Sequence, residues 1–481
     1  MKPQRRTITL ATLLLPYALV FTAYTACAAI GIGDDPNALL SGEKEEGFAS
    51  LFNGKDLDGW VLDRTVRDGC FEVRKNLLYC TGAGDYEALL RTGKMYENFD
   101  LRLEYQTPGW TEGGVLFHVP PIGRAARLGV KLQIYHRIGE DLEPNFSGSI
   151  FGVRSPEKDL AQGSNDWQTL RILVDWPSLK VWLNGERIHD LDCEAIEALR
   201  YRERTGYIAL QDIKSDLSFR RIRIRELPPK DHWVTLFNGK DLTGWREADQ
   251  AQWDVRMPAL EEPVWTCTKH PKFRLHEFAR CPYCTANLVP ATAATLPPTP
   301  PPGPTAALGS KTRFGAAAKP GAPLMLGPQP LPGTIAAGVI HAEKSTGYLI
   351  TDKKYQDFEL KTIIRESPGA NGGIFFRWTR EEDKDRGYEI QLRNSPDSSH
   401  PTGSIYKYDR CTDDEIVKGS EWYQMNIIAQ GPHLQVWIDG KKVSEIRDAK
   451  KKVPGHVALQ MHSNDSWVEW RDIKIKELSG E

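Results

Sequence analysis

The chain has 481 residues, of which 40% are hydrophobic and 26% are charged, and its formal net charge is -2 at pH 7. This length predicts two to four domains, and the hydrophobic fraction excludes a largely disordered protein. Because 62 Lys and Arg residues nearly balance 64 Asp and Glu residues, the composition gives no electrostatic basis for binding nucleic acid or an anionic membrane surface.

The N-terminus has the features of an export signal. Basic residues precede an apolar run from Ile8 to Val20, and small residues follow that run. We therefore expect residues 1–29 to be a signal peptide. The mature protein is then expected in the periplasm or at the cell surface of a Gram-negative-type bacterium, without a membrane span. Thr25-Ala26-Cys27 also resembles a bacterial lipobox, so a lipid anchor at Cys27 is an alternative, as is an uncleaved anchor.

A long internal repeat organises the rest of the chain. The decapeptide LFNGKDLDGW at Leu51 returns as LFNGKDLTGW at Leu236, and shorter matches follow in the same order. A repeat of this length predicts two homologous domains. Copy one covers 46–228, and copy two covers 233–257 and 338–479. The spacing between matched positions grows after Trp245, so copy two carries an insertion.

Each copy is predicted to be an all-β domain. Apolar and polar residues alternate along short segments such as Phe99–Tyr105 and Leu170–Val174, which is the period of a strand with one buried face. Asn184-Gly185 and Asp439-Gly440 are typical of tight turns between antiparallel strands. A convincing helical pattern is confined to residues 194–204. The pattern therefore predicts two tandem antiparallel β-sandwiches.

The insertion contains residues of the types that bind zinc. Cys267 and His270 have C-x-x-H spacing, and Cys281 and Cys284 follow with C-x-x-C spacing. Three thiolates and one imidazole suit a tetrahedral zinc site, which we expect within residues 262–290. A disulfide among the three cysteines is the alternative, because an exported protein can retain one.

The same segment also resembles the small heavy-metal-binding domain of bacterial efflux and copper proteins. Thr268-Lys269 and Thr285-Ala286 stand where that family has methionines. Without soft thioether ligands, a structural zinc knuckle is favoured over copper binding. The Pro-, Ala- and Gly-rich residues 291–337 predict a disordered or polyproline-II-like tether.

Copy two has polar residues two positions apart on strands that are otherwise apolar. Glu389 and Gln391 project to one face of one predicted strand, Gln460 and His462 do so on another, and Arg377 ends a third. Such groups are costly when buried without partners. We therefore expect them to line a concave face that meets a polar ligand. A solvated face with ordinary cross-strand pairs is the alternative.

The motifs of both copies resemble those of the 3-keto-disaccharide hydrolase family, formerly a domain of unknown function. The resemblance rests on the repeated decapeptide and on copy-two motifs, which are Tyr348-Leu-Ile-Thr351, Asp357-Phe-Glu-Leu360, Asn371-Gly-Gly-Ile-Phe-Phe-Arg377, Gly387-Tyr-Glu-Ile-Gln391, Gly403-Ser-Ile-Tyr406 and Trp470-Arg-Asp-Ile473. It implies a concanavalin A-like lectin/glucanase (jelly-roll) sandwich for each copy. It also implies a carbohydrate substrate with a ketone at C3.

The resemblance further implies cleavage by β-elimination followed by hydration. A C3 ketone acidifies the C2 hydrogen, so a base can abstract it while the C1 glycosidic oxygen leaves. We expect Glu389 and His462 to be base and acid, in either order, and Arg377 to hold the enolate or C3 oxygen. Glu389 and His462 could instead hold a divalent cation that polarises the ketone. No nucleotide cofactor is expected. The candidate substrate-binding residues are Gln391, Gln460, Tyr406 and Asn371.

Copy one lacks the acid–base pair. Its replacements are His118 for Arg377, Lys131 for Glu389 and Ile213 for His462. We therefore expect copy two to be catalytic and copy one to be a sugar-binding or structural partner. Two other functions stay open, because fold alone does not decide between them. One is a lectin-like glycan-binding protein without catalysis, and the other is a tethered metal-binding or interaction module on sandwich scaffolds.

Overall fold

The computed structural model covers both copies and part of the insertion. It describes the backbone alone at 265–267, 270–275 and 289–290. The other described residues are 35–62, 70–83, 88–109, 111–121, 125–135, 146–161, 163–213, 216–230, 232–256, 338–344, 346–379, 387–395, 398–413, 416–417, 420–463 and 465–479. Among the described residues, no helix is long and apolar enough to cross a membrane.

Copy one is a sandwich of two antiparallel sheets. Its elements are β1 (Ala49–Ser50), β2 (Trp60–Leu62), β3 (Phe71–Arg74), β4 (Leu77–Cys80), β5 (Ala88–Tyr96), β6 (Asn98–Gln106), β7 (Glu112–Val119), α1 (Ala125–Leu128), β8 (Val130–Tyr135), β9 (Trp167–Asp175), β10 (Ser178–Leu183), β11 (Glu186–Asp192), α2 (Glu197–Arg200), β12 (Gly206–Asp212) and β13 (Ser218–Leu227). The larger sheet has the order β11-β10-β9-β6-β13-β4-β3, with β1 on β13, and the smaller sheet has the order β2-β5-β12-β7-β8.

Copy two repeats this architecture around the insertion. The elements are β14 (Val234–Thr235), β15 (Trp245–Asp249), β16 (Gln252–Arg256), β17 (Trp265–Cys267), β18 (His270–Leu275), β19 (Val289–Pro290), β20 (Val339–Glu343), β21 (Thr346–Tyr355), β22 (Phe358–Glu366), β23 (Asn371–Trp378), β24 (Tyr388–Arg393), β25 (Tyr423–Gln430), β26 (His433–Ile438), β27 (Lys441–Ile446), β28 (Gly455–His462) and β29 (Trp467–Glu477). The larger sheet has the order β16-β20-β29-β22-β25-β26-β27, with β14 on β29. The smaller sheet has the order β15-β21-β28-β23-β24. Strands β17 to β19 form a separate small sheet in the insertion.

The side chains between the two sheets form the core of each copy. In copy two, Phe358, Phe376 and Trp470 are fully buried there, and the hydrophobic effect of this burial holds the sheets together. The predicted all-β class and the two tandem sandwiches are confirmed. The predicted helical segment at 194–204 folds as a helix only over Glu197–Arg200.

Copy one packs against the outer face of the larger sheet of copy two. The backbone carbonyl of Tyr201 accepts a hydrogen bond from Asn426 Nδ2 at 2.9 Å, and the Tyr201 ring lies 4.8 Å from the ring of Trp437. Beside them, the Lys361 ammonium donates to the carbonyl of Arg202 at 2.8 Å. Short-range polar contacts therefore fix where the two copies meet.

Glu203 is the charged centre of this contact. Its carboxylate lies 2.6 Å from the ammonium of Lys474 and 3.6 Å from that of Lys361. Burial alone would raise the pKa of Glu203, but the two lysines outweigh it and lower that pKa to about 2. The ionised carboxylate is thus required to compensate the charges of the buried Lys361 and the partly exposed Lys474.

We expect Glu203→Gln to lower the free energy of unfolding by about 3 kcal/mol, because the buried Lys361 ammonium loses one of its two carboxylates and keeps only Glu359, at 3.8 Å. Since the folded-state pKa is lowered, the Glu203 contribution is present above the unfolded pKa of about 4.5 and is lost as pH falls towards 2. Chemical denaturation between pH 3 and pH 7 measures both effects. The control is Glu226→Gln, at a carboxylate that is 54% exposed. Equal losses in the two variants would contradict the assignment.

Candidate functional site

The polar residues predicted on copy two lie together on the outer face of its smaller sheet. On β24, the side chains of Glu389, Gln391 and Arg393 alternate with residues of the core. On β28, Gln460 and His462 alternate with core residues in the same way. Both strands pair with β23, β28 on one side and the edge strand β24 on the other. The period of two therefore brings these groups to one surface.

This surface is the floor of a pocket of about 720 Å³. The pocket wall also contains the other two predicted substrate-binding residues, Asn371 and Tyr406. The loop that carries Tyr406 runs beside β24, where the Tyr406 N–H donates to the carbonyl of Glu389 at 2.9 Å. Six of the seven residues predicted for the sugar site thus line one cavity. A pocket of this size accommodates a small sugar.

Gly373 sets the position of the Glu389 carboxylate. An added Cβ at Gly373 would lie 2.8 Å from Glu389 Oε1, so the carboxylate rests against the strand backbone at this point. In the sheet register, Gly373 lies opposite Gln391 on one side and Gln460 on the other. The carboxylate therefore lies between two carboxamides. His462 lies two residues beyond Gln460, at the exposed end of β28.

Hydrogen bonds orient both carboxamides. Gln391 Nε2 donates to Asn371 Oδ1 at 3.1 Å, and Gln460 Nε2 donates to the hydroxyl of Tyr348 at 3.1 Å. The Tyr348 ring stacks on Trp378 with the ring centroids 5.2 Å apart. An ordered polar floor beside an aromatic wall suits a ligand with both hydroxyl groups and apolar ring faces.

Arg377 lies outside the pocket, in contrast to the expectation that it binds the substrate. The sheet register shifts between Phe375 and Trp378, and Arg377 has a positive φ of 49°. This irregularity breaks the period of two, so the side chain turns into the protein and is 1% exposed. Its guanidinium donates to the Asp357 carboxylate and to backbone carbonyls, which are those of Gln356, Gly431 and Lys451. Arg377 is therefore a structural residue that holds loops together.

The pocket contains further residues that the sequence reasoning missed. Arg393 continues the alternation of Glu389 and Gln391 along β24, so the period of two could have identified it. Tyr348 on β21 and Phe375 on β23 also line the pocket. The remaining residues come from loops, whose course no periodic pattern indicates. These loop residues are Gly387, Ser398, Ser399, His400, Lys407, Tyr408 and Lys451.

A buried carboxyl group anchors the loop on one side of the pocket. Glu366 Oε1 accepts hydrogen bonds from the hydroxyls of Thr402 and Tyr423, both at 2.8 Å. Thr402 in turn accepts the backbone N–H of Arg393. Glu366 Oε2 is buried and has no hydrogen-bond partner among the residues that the structure describes. Burial outweighs the two hydrogen bonds and raises the pKa of Glu366 to about 7.

The equivalent face of copy one is filled by protein side chains. Lys131 takes the place of Glu389 over Gly114, and it is 3% exposed with its ammonium 4.8 Å from the ring centroid of Phe151. A cluster that includes Leu89 and Leu116 packs with α1 on the same face. The matched position in copy one is therefore closed by a lysine and apolar side chains.

The described residues leave the predicted zinc site untested. Cys281 and Cys284 lie outside them, and Cys267 and His270 are opposite each other in the register of β17 and β18, with the backbone alone described. In the described part of the chain, no cluster of three or more His, Cys, Asp or Glu side chains could hold a metal ion. The divalent cation predicted at Glu389 and His462 likewise stays a prediction.

Comparisons with known proteins are consistent with the repeat. A family model described as a 3-keto-alpha-glucoside-1,2-lyase-like domain matches residues 47–225 and 232–476. A "putative glycosyl hydrolase" from Parabacteroides distasonis ATCC 8503 is 23% identical, with 40% of this chain and 99% of that chain covered and a TM-score of 0.36. A carbohydrate binding module from Bacillus subtilis is 14% identical, with 29% and 84% covered and a TM-score of 0.22. No curated protein matches the chain.

Two adjacent glycines test the geometry of the floor. A Cβ at Gly372 would lie 2.5 Å from the backbone oxygen of Gln460, whereas a Cβ at Gly373 meets the movable side chain of Glu389. We expect Gly372→Ala to cost about 1–3 kcal/mol of stability and Gly373→Ala to cost less, because only the former forces a backbone shift. Thermal unfolding of both variants measures this. A greater loss for Gly373→Ala would contradict the placement of Glu389.

The raised pKa of Glu366 predicts a pH-dependent stability. A carboxyl group whose folded-state pKa is raised favours the folded state below its unfolded pKa, about 4.5, and loses that contribution as pH rises through about 7. We expect Glu366→Gln to remove this dependence and to be more stable than the wild type at pH 8, by on the order of 3 kcal/mol. Denaturation curves from pH 5 to pH 8 measure it, with Glu477→Gln as the exposed control. Parallel curves for wild type and Glu366→Gln would contradict the assignment.

Proposed function

Because the chain belongs to the family of 3-keto-alpha-glucoside-1,2-lyase-like domains, which matches both copies, we propose that copy two cleaves sugars with a ketone at C3. Cleavage proceeds by β-elimination and is completed by hydration. The observation that supports this most is the meeting of a carboxylate and an imidazole, Glu389 and His462, in one pocket with two oriented carboxamides. The carboxylate and the imidazole are groups that can transfer protons near neutral pH.

We assign Glu389 as the base. Its carboxylate lies at the centre of the floor over Gly373, where a sugar ring on the floor would present its C2 hydrogen. Abstraction of that proton places the electron pair in an enolate that includes the C3 oxygen. The C1–O bond then breaks, and the electron pair leaves with the glycosidic oxygen.

We assign His462 as the acid that protonates the leaving oxygen. Its side chain is at the exposed end of β28, where the departing group reaches solvent. Water then adds at C1 and a proton at C2 of the resulting enone, so the sum is hydrolysis. Gln391 and Gln460 would orient the hydroxyl groups of the ring. All steps use protein groups and water.

The enolate oxygen needs a donor other than Arg377. Lys407 and Lys451 lie on the pocket wall, and an ammonium group can stabilise the negative charge that develops on the C3 oxygen. Copy one, with Lys131 and Ile213 at the two catalytic positions, would serve as a structural partner. We also propose that the protein is exported, with its zinc knuckle as a separate module.

The test is incubation of the purified protein with 3-keto-trehalose or a 3-keto-glucoside, with and without a chelator. We expect turnover that the chelator leaves unchanged, and a loss of ~100-fold or more in both Glu389→Gln and His462→Ala, since each removes a proton-transfer group. The controls are Glu226→Gln and His433→Ala, which alter residues outside the pocket.

Thermal unfolding of each variant separates loss of function from loss of fold. Wild-type turnover in both pocket variants would refute the mechanism. Binding of unoxidised oligosaccharide without turnover of the 3-keto form would instead indicate a lectin-like protein. Loss of turnover with chelator would indicate a cation at the site and refute the metal-free mechanism.

A further inference from the structure

The pocket of copy two has an excess of basic side chains. Among its described lining residues, Glu389 contributes one carboxylate, whereas Arg393, Lys407 and Lys451 contribute three cations. The chain as a whole has a net charge of -2, so the excess of cations in this lining does not follow from the overall composition. Hydrogen bonds suffice to recognise a neutral sugar, whereas an excess of cations in a concave site attracts anions.

Arg393 is the cation with the clearest orientation towards a ligand. It lies on the pocket face of β24, opposite Asn371 in the sheet register, and its side chain is half-buried. Its backbone N–H donates to Thr402. Its guanidinium makes no hydrogen bond or ion pair with any residue that the structure describes, although it can offer five donors.

Further donors lie at the same end of the pocket. The chain turns after Arg393 and returns beside it at Thr402, so Ser398, Ser399 and His400 line the wall there. Ser399 Oγ is 3.1 Å from His400 Nδ1, and the His400 N–H donates to Ser398 Oγ at 3.2 Å. A guanidinium, two hydroxyls and an imidazole form a set of groups suited to a carboxylate or another oxyanion.

We propose that this end of the pocket, the Arg393 subsite (Arg393, Ser398, Ser399 and His400), binds an oxyanion carried by the sugar. The substrate class is then acidic glycosides, in which the oxyanion is a uronate carboxylate, a sulfate ester or a phosphate ester. The choice of sugar as ligand rests on the proposed function. Copy one has Tyr135 at the position of Arg393, opposite Glu112, so it lacks the guanidinium of this subsite.

The experiment measures binding without turnover, so that it does not depend on the proposed chemistry. Isothermal titration compares an unoxidised neutral disaccharide with the same disaccharide carrying a C6 carboxylate, a 6-sulfate or a 6-phosphate. We expect at least one acidic form to bind wild-type protein ten- to a hundredfold more tightly than the neutral parent, roughly the value of a charge-assisted hydrogen bond. The arm with the greatest gain identifies the oxyanion.

Two variants assign the effect to Arg393. Arg393→Gln is expected to reduce the affinity for the acidic form to that for the neutral parent, and Arg393→Lys to restore part of it, because Lys keeps the charge without the planar fork. The matched control is Arg447→Gln, at an arginine that is 70% exposed and outside the pocket. The preference of the wild type for the acidic form should also weaken as salt is raised.

Equal wild-type affinities for the neutral disaccharide and all three acidic forms would overturn the proposal. An equal effect of Arg393→Gln on the neutral and acidic ligands would also overturn it. These outcomes are distinct from failure of the proposed function. If the protein prefers the acidic disaccharide but does not cleave a 3-keto sugar, the subsite is supported and the proposed reaction is refuted. If it cleaves a 3-keto sugar but shows no preference for the acidic disaccharide, the reaction is supported and the subsite is refuted.

Discussion

The packing of two antiparallel sheets against each other decides which side chains of this protein can meet a ligand. Each strand must give alternate side chains to the shared core, where Phe358, Phe376 and Trp470 are fully buried. The intervening side chains are then directed away from the core, and on the smaller sheet of copy two they form the pocket floor. The placement of Glu389, Gln391 and Gln460 thus follows from the same burial that stabilises the domain.

The two copies satisfy this constraint and use the free face differently. Both have a glycine on the strand next to the sheet edge, β7 or β23, and a side chain of the edge strand lies over it. This side chain is Lys131 over Gly114 in copy one and Glu389 over Gly373 in copy two. In copy one, Leu89 and α1 cover the neighbouring surface, whereas in copy two Tyr348 forms a wall of an open pocket. The same backbone therefore supports a closed surface and an open site.

Much of this architecture could be predicted from the sequence, because the signals are local and repeated. The period of two predicted the strands and the face on which Glu389 and His462 lie, and the comparison of copies predicted which copy carries both residues. Arg377 could not be placed in this way, since the register shift beside it reverses the direction of one side chain. The loop residues of the pocket, such as His400, depend on long-range packing that no short sequence pattern contains. The contact of Glu203 with Lys474 joins two domains, so the sequence pattern of either domain alone could not predict it.

The contact between the copies has a consequence for how the protein assembles. The last strand of copy one ends at Leu227, and the first strand of copy two begins at Val234. Copy one, which covers the larger sheet of copy two, is therefore joined to copy two by a short connection. Docking is therefore an intramolecular event at an effective concentration of roughly millimolar or more. The contact does not weaken when the protein is diluted, as a contact between separate chains would. Copy one thereby keeps the surface of copy two that contains Lys361 and Trp437 covered, and no second subunit is required for this.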